Sequence, residues 1–147
     1  MRYKDRGEVH KDFHAATNMT IDYIVDNFGE DALAMLFRKM ATDVYKSIHD
    51  KLKKGDASEL IEHLKYYLDR EKGEYEISEN NGTIICEISK CPAVEHIIKS
   101  GLTLSPHFCR QTIEVNAGLC EGTPWKTKTE LLGCGKCRQV FKLENQQ

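Results

Sequence analysis

Through the first half of the chain, apolar positions recur with the period of an α-helix. Around Glu8 to Asn27, the residues His10, His14, Thr17, Ile21, Ile24 and Phe28 form one stripe, and Gly29 is placed to end that helix as its C′ residue. A second helix opens with Glu30 and Asp31, carries Leu33, Leu36, Phe37, Met40, Val44 and Ile48, and closes with Lys51, Lys53 and Lys54 before Gly55. Its acidic start and basic end both suit the helix dipole. Asp56 followed by Glu59 resembles a capping box, from which Leu60, Ile61, Leu64, Tyr67 and Leu68 continue a third helix toward Gly73.

At Glu74 the period changes to two. Short alternating runs flank Asn81-Gly82, a pair suited to a two-residue type I′ hairpin, which sets Ile77 opposite Cys86 and Tyr75 opposite Ile88. Cys86 is then a core residue. After Cys91-Pro92 a short helix through Val94, Ile97 and Ile98 ends at Gly101, and Ser105-Pro106 announces another as N-cap and first helical residue. That last helix places Phe108, Cys109, Thr112, Ile113, Asn116 and Cys120 on one side, with Arg110, Gln111, Glu114 and Glu121 opposite. Trp125, Thr127, Thr129 and Leu131 then alternate, and a Gly133-Cys134-Gly135-Lys136 turn leads into Cys137, Gln139, Phe141 and Leu143. The expected architecture is α+β: N-terminal helices packed on a small, largely antiparallel sheet, with a Cys-bearing helix before a C-terminal hairpin.

Composition narrows the function classes. The 147 residues suit one domain, 1–147, with residues 1–8 as a flexible N-terminal arm. With 21 basic against 23 acidic residues and a net charge of -2, the chain has no electrostatic footprint for nucleic acid. Arg2, Lys4, Asp5, Arg6 and Glu8 interrupt any apolar leader, and no run approaches the roughly 20 apolar residues of a membrane span. A cytoplasmic protein with no membrane partner is expected, and homo-oligomerisation is left open. In that compartment thiol, thiolate or metal-bound cysteine is expected rather than disulfide.

All six cysteines fall between Cys86 and Cys137, which locates the chemistry. Cys109 and Cys120 share a helix face but lie eleven residues, ~16 Å, apart along the axis. Thiolates on one zinc are separated by only about 4 Å, so these two cannot share an ion. Cys134-Gly-Lys-Cys137 has the spacing of half a zinc site, which Cys91, Cys86 or a histidine would have to complete. His10 and His14 present a helical pair, although His-Lys-Asp-Phe-His lacks the glutamate of the zinc-protease helix. Gln139 and Asn116 are amides at apolar positions; they either satisfy each other through backbone or water, or converge on a ligand pocket.

The ordered set His10-Lys-Asp-Phe-His14, Asp22-Tyr-Ile, Phe28-Gly29-Glu30, Val44-Tyr45, Gly73-Glu74-Tyr75-Glu76, Cys91-Pro92-Ala93, Phe108-Cys109-Arg-Gln111-Thr112 and Cys137-Arg-Gln139-Val-Phe141 resembles the L-2-amino-thiazoline-4-carboxylic acid hydrolase family. The likeness runs from about residue 9 to 143. The last third also resembles the 4-vinyl reductase type of small-ligand domain. The first resemblance implies attack of water at the ring carbon between sulfur and nitrogen of a small-molecule substrate, with opening to N-carbamoyl-L-cysteine. Cys109, at a helix N-terminus that would lower its pKa, is the first candidate nucleophile or ligand, and Cys137 the next. His14 is the candidate acid/base. Gln139 or Asn116 would hold the amidine, and Arg110 or Arg138 the carboxylate, although periodicity turns both arginines outward. A divalent ion, zinc or manganese, held by His14 with Cys91, Cys109 or Cys137, would activate water without a covalent intermediate. Cys134 lies outside the resemblance. The alternative function is a non-catalytic small-ligand or metal-binding sensor domain.

Overall fold

The computed structural model describes residues 3, 4, 6, 7 and 9–144. Four helices come first: α1 (Asp12–Phe28), α2 (Glu30–Asp43), α3 (Lys46–Leu52) and α4 (Ser58–Glu71). The hairpin β1 (Glu74–Asn80) and β2 (Thr83–Lys90) follows, then α5 (Pro92–Lys99), α6 (Arg110–Cys120) and the hairpin β3 (Trp125–Gly133) and β4 (Lys136–Leu143). The strands form one sheet in the order β1-β2-β4-β3 with every neighbour antiparallel. This is the expected α+β architecture, with a Cys-flanked helix ahead of the C-terminal hairpin.

Local chemistry accounts for the first hairpin. Asn81 and Gly82 take φ of 48° and 71°, the left-handed pair a type I′ turn requires. Ile77 lies opposite Cys86 and Tyr75 opposite Ile88, as expected. Pairing of β2 with β4 extends both rows: Cys86 lies opposite Gln139, and Ile88 opposite Cys137. Thr129 continues the first row on β3, and Leu131 the second.

The helical half departs from expectation at four points. The helix expected from Glu8, a position outside the described residues, starts at Asp12, so His10 is exposed ahead of α1 and shares no face with His14. The second helix breaks at Val44-Tyr45, where both backbone N–H groups bond to the Met40 carbonyl; beyond the break Ile48 and Leu52 are fully buried while Val44 is exposed. No capping box forms, because Asp56 Oδ1 accepts the Ser58 N–H and Glu59 is held by Ser47 Oγ at 2.6 Å and the Tyr3 hydroxyl at 3.1 Å. Tyr3 therefore packs on α4, although positions 1, 2, 5 and 8 of the expected arm lie outside the described residues. The helix expected from Pro106 starts at Arg110, since Ser105 Oγ accepts the His107 N–H and its carbonyl the Phe108 N–H, forming a separate turn. Cys109 becomes the N-cap.

Two hydrophobic clusters hold the layers together. One joins α3, α4 and α6 to the sheet through residues such as Leu52, Leu68, Leu119 and Phe141; the other joins α1, α2 and α5 through Ile21, Leu33, Phe37 and Ile97. Cys91 and Val115 touch both clusters. No helix among the described residues is long and apolar enough to cross a membrane.

Candidate functional site

The cavity of interest, about 340 Å³, is bordered by both clusters. Helix α4 supplies one wall: Leu60, His63, Leu64, Tyr67, Leu68 and Glu71 follow helical spacing, so a single face lines it. Opposite lie Asn116 and Val115 of α6, with Cys137 and Gln139 of β4. His14 of α1, Cys91 before α5 and Cys109 before α6 complete the chemistry-bearing lining. Of the residues expected at the site, His14, Cys91, Cys109, Cys137, Asn116 and Gln139 thus converge on one cavity.

The loop that carries Cys109 is fastened by α1. Asn18, buried in that helix, donates to the Thr103 carbonyl at 3.0 Å and accepts the Ser105 N–H at 2.9 Å. The side-chain amide thereby replaces backbone partners that the irregular segment lacks. Cys91 is positioned differently: its N–H donates to the Gly135 carbonyl at 2.8 Å, tying the start of α5 to the β3–β4 turn.

Two pairs of polar side chains stand in the wall. His14 Nε2 and Glu71 Oε2 are 2.6 Å apart, both nearly buried, while Lys11 Nζ donates to the Glu71 carbonyl at the end of α4. Asn116 Nδ2 donates to Gln139 Oε1 at 2.8 Å and to Thr129 Oγ1 at 3.2 Å. The two unexpected amides therefore satisfy each other in part, as their apolar positions require. Gln139 Nε2 points at Cys137 Sγ, 3.8 Å away.

Burial dominates the thiols. Cys109 is pushed up to about 11, chiefly by desolvation and then by Cys91, Cys137 and Cys134, so the expected lowering at a helix N-terminus is overridden. Cys91 and Cys137 are also raised by burial. For Cys91 the backbone amides of Val94 and Ala93 oppose that rise; for Cys137 the Gln139 amide does. Cys86 and Cys120 reach about 12 and serve the core. Cys134 is exposed on the turn, so the two ends of the C-x2-C run have separate surroundings.

The arginines do not reach the cavity lining. Arg110 pairs with the buried Glu114 at 2.9 Å, one turn along α6, where Arg38 joins it at 2.8 Å. Arg138 pairs with Glu87 at 2.8 Å across the β2–β4 ladder. Lys136, at the start of β4, is a lysine of the cavity wall. Among the described residues no three histidine, cysteine, aspartate or glutamate side chains stand together as a metal site.

Sequence reasoning missed Glu71, His63, Lys136 and Asn18. The α4 face could have signalled the first two, since both keep the spacing of Leu60, Leu64 and Leu68. Asn18 carries no such signal, because its partners lie some 85 residues away. Compared with family models, curated proteins and solved structures, the chain finds no match in any of the three.

Proposed function

We propose that the protein is a small-molecule hydrolase that opens a cyclic amidine of the thiazoline type to an N-carbamoyl amino acid. One observation carries the reading: a paired histidine, three thiols and a buried amide pair share a single cavity. Glu71 accepts from His14 Nε2, which leaves Nδ1 as the proton acceptor and orients the ring. Thiols raised by burial need such a base, because little thiolate stands ready at neutral pH. Cys91 is the sulfur best supported as nucleophile, as two backbone amides oppose the effect of its burial; Cys109 and Cys137 stand beside it in the lining.

The chemistry balances without a further reactant than water. The thiol proton passes to His14, and sulfur bonds to the ring carbon between S and N. The ring C–S bond then breaks, and the departing sulfur takes the proton back. Water adds to the resulting amidino-enzyme carbon, cysteine leaves as thiol, and an N-carbamoyl group remains on the product. Asn116 and Gln139 are suited to the amidine, and Lys136 to a substrate carboxylate.

Incubation with 2-amino-thiazoline-4-carboxylate, with mass-spectrometric detection of the N-carbamoyl product, tests the reading. Turnover by the unaltered protein that falls about 10²-fold or more in Cys91→Ser and His14→Gln is expected. No ring opening, or turnover indifferent to serine at Cys91, Cys109 and Cys137 in turn, rejects it. The raised thiols favour a second reading, a non-catalytic small-ligand domain, for which calorimetry would register binding of the same compound without turnover.

A further inference from the structure

The cavity extends well beyond the thiol and His14–Glu71 groups. Glu71 ends α4, and His63 lies eight residues earlier on the same lining face, a rise of ~12 Å. Between them the α4 wall is Leu64, Tyr67 and Leu68, and Met40 and Leu119 also border the space. At about 340 Å³ the cavity falls in the range that encloses drug-sized ligands, whereas a single five-membered ring fills only one end.

His63 marks the other end. Its Nδ1 is buried without a hydrogen-bond partner among the described residues, and the ring is flanked by Tyr3, Tyr45 and Tyr67, with centroids 5.9, 5.2 and 5.5 Å away. Buried imidazole nitrogens ordinarily have partners, and an uncharged imidazole always retains one acceptor nitrogen. Tyr45 and Tyr67 line the cavity with it, so this end offers aromatic surface around a hydrogen-bonding ring.

We infer that the cavity takes an elongated ligand: a reactive or polar head among the thiols, an apolar body along α4, and an uncharged hydrogen-bond donor at the far end that meets His63. The inference rests on the hydrolase reading for the head group only. It narrows the substrate class to cyclic amidines bearing an apolar extension tipped by a hydroxyl or amide N–H. An anionic tip is disfavoured at this end wall, because burial lowers the His63 imidazole to about 4 and the carboxylate of Glu59 acts on the same ring.

Three probes that lack an electrophilic centre isolate the tail: 4-butylphenol, butylbenzene and 4-butylbenzoate, each titrated calorimetrically into the full chain. The phenol is expected to bind about fivefold to tenfold tighter than butylbenzene, the worth of one buried hydrogen bond, with the benzoate weakest. In His63→Phe the advantage of the phenol should vanish while butylbenzene affinity holds, and His63→Gln should restore part of it. Equal affinity for phenol and butylbenzene, a preference for benzoate, a phenol preference that survives His63→Phe, or no binding of any probe overturns the inference. The first comparison uses the unaltered protein and so does not depend on a variant folding. Failure here leaves ring opening untouched, and failure of ring opening leaves this selectivity in place.

Discussion

His14 Nε2 stands 2.6 Å from Glu71 Oε2, joining the first helix to the end of the fourth beside the cavity. Both side chains are about nine-tenths shielded from solvent, so neither finds ample water if its partner is removed. Glu71→Gln keeps the size but removes the charge, and should cost about 1–3 kcal/mol in urea denaturation. It should also slow ring opening, because a neutral amide oxygen, or a misdirected amide N–H, holds the imidazole less firmly than the carboxylate does. A stability change within about 0.5 kcal/mol, the range of ordinary surface substitutions, would show that the pair does not hold the two helices together.

What the sequence made legible was local. The hairpin at Asn81-Gly82 and its register could be read because two residues with positive φ fix both. The inward faces of Cys137, Gln139 and Asn116 followed from period alone. The break at Val44-Tyr45 was not legible: no glycine or proline marks it, and its cause lies in packing of Ile48 and Leu52 against distant partners. Glu71 and His63 share the spacing of the apolar α4 face, but their partners His14 and Tyr3 come from distant parts of the chain, so what each one meets was not legible. The altered pKa of Cys109 was missed for a related reason. A helix N-terminus is visible in sequence, but the burial that outweighs it is tertiary.

Gly118 is where α6 and α2 touch. A Cβ there would sit 2.8 Å from Ala41 Cβ and 2.9 Å from both Arg38 Cα and the Arg38 carbonyl oxygen. Backbone cannot swing aside as a side chain can, so Gly118→Ala should destabilise by about 1–3 kcal/mol despite the better helix propensity of alanine. Adding Ala41→Gly should recover only part of that loss, since two of the three clashes are with Arg38 backbone. Full recovery in the double variant would locate the strain in the side-chain contact instead.

The Asn116–Gln139 bond predicts non-additive energetics. Gln139 is only 1 % exposed, so Asn116→Ala strands its amide oxygen and should cost about 1–3 kcal/mol. Asn116→Leu combined with Gln139→Met removes both amides together and should cost less than the sum of the single changes. A double-mutant cycle that returns simple additivity would count against the pair.

Thiol accessibility gives a map independent of activity. Cys134 is exposed, whereas Cys86 and Cys120 are buried and pushed up to about 12. Iodoacetamide at pH 7.5 should therefore label Cys134 first, the cavity thiols Cys91, Cys109 and Cys137 slowly, and the core pair only after unfolding. A bound cavity ligand should protect the middle group alone. Peptide mapping that finds Cys86 labelled alongside Cys134 in the native protein would contradict the assigned faces.

Burial lowers the His63 imidazole to about 4, against 6.5 for an ordinary histidine, while Glu59 opposes the shift. Between those two values the unfolded chain binds a proton that the folded chain does not. Stability contributed by the neutral, buried ring is therefore present above about pH 6.5 and lost as pH falls toward 4. The full loss is at most about 3 kcal/mol, and carboxylates titrating in the same range add to the raw slope. The difference between the unaltered protein and His63→Phe removes that background, because the variant keeps the ring shape among Tyr3, Tyr45 and Tyr67 but cannot titrate. As the pH falls from 7 to 4.5, the urea midpoint of the unaltered protein should drop relative to that of His63→Phe, since only the histidine protein loses stability to this proton. Parallel curves would mean that His63 protonates in the folded state as readily as in the unfolded one, and that this end of the cavity is wetter than its packing implies.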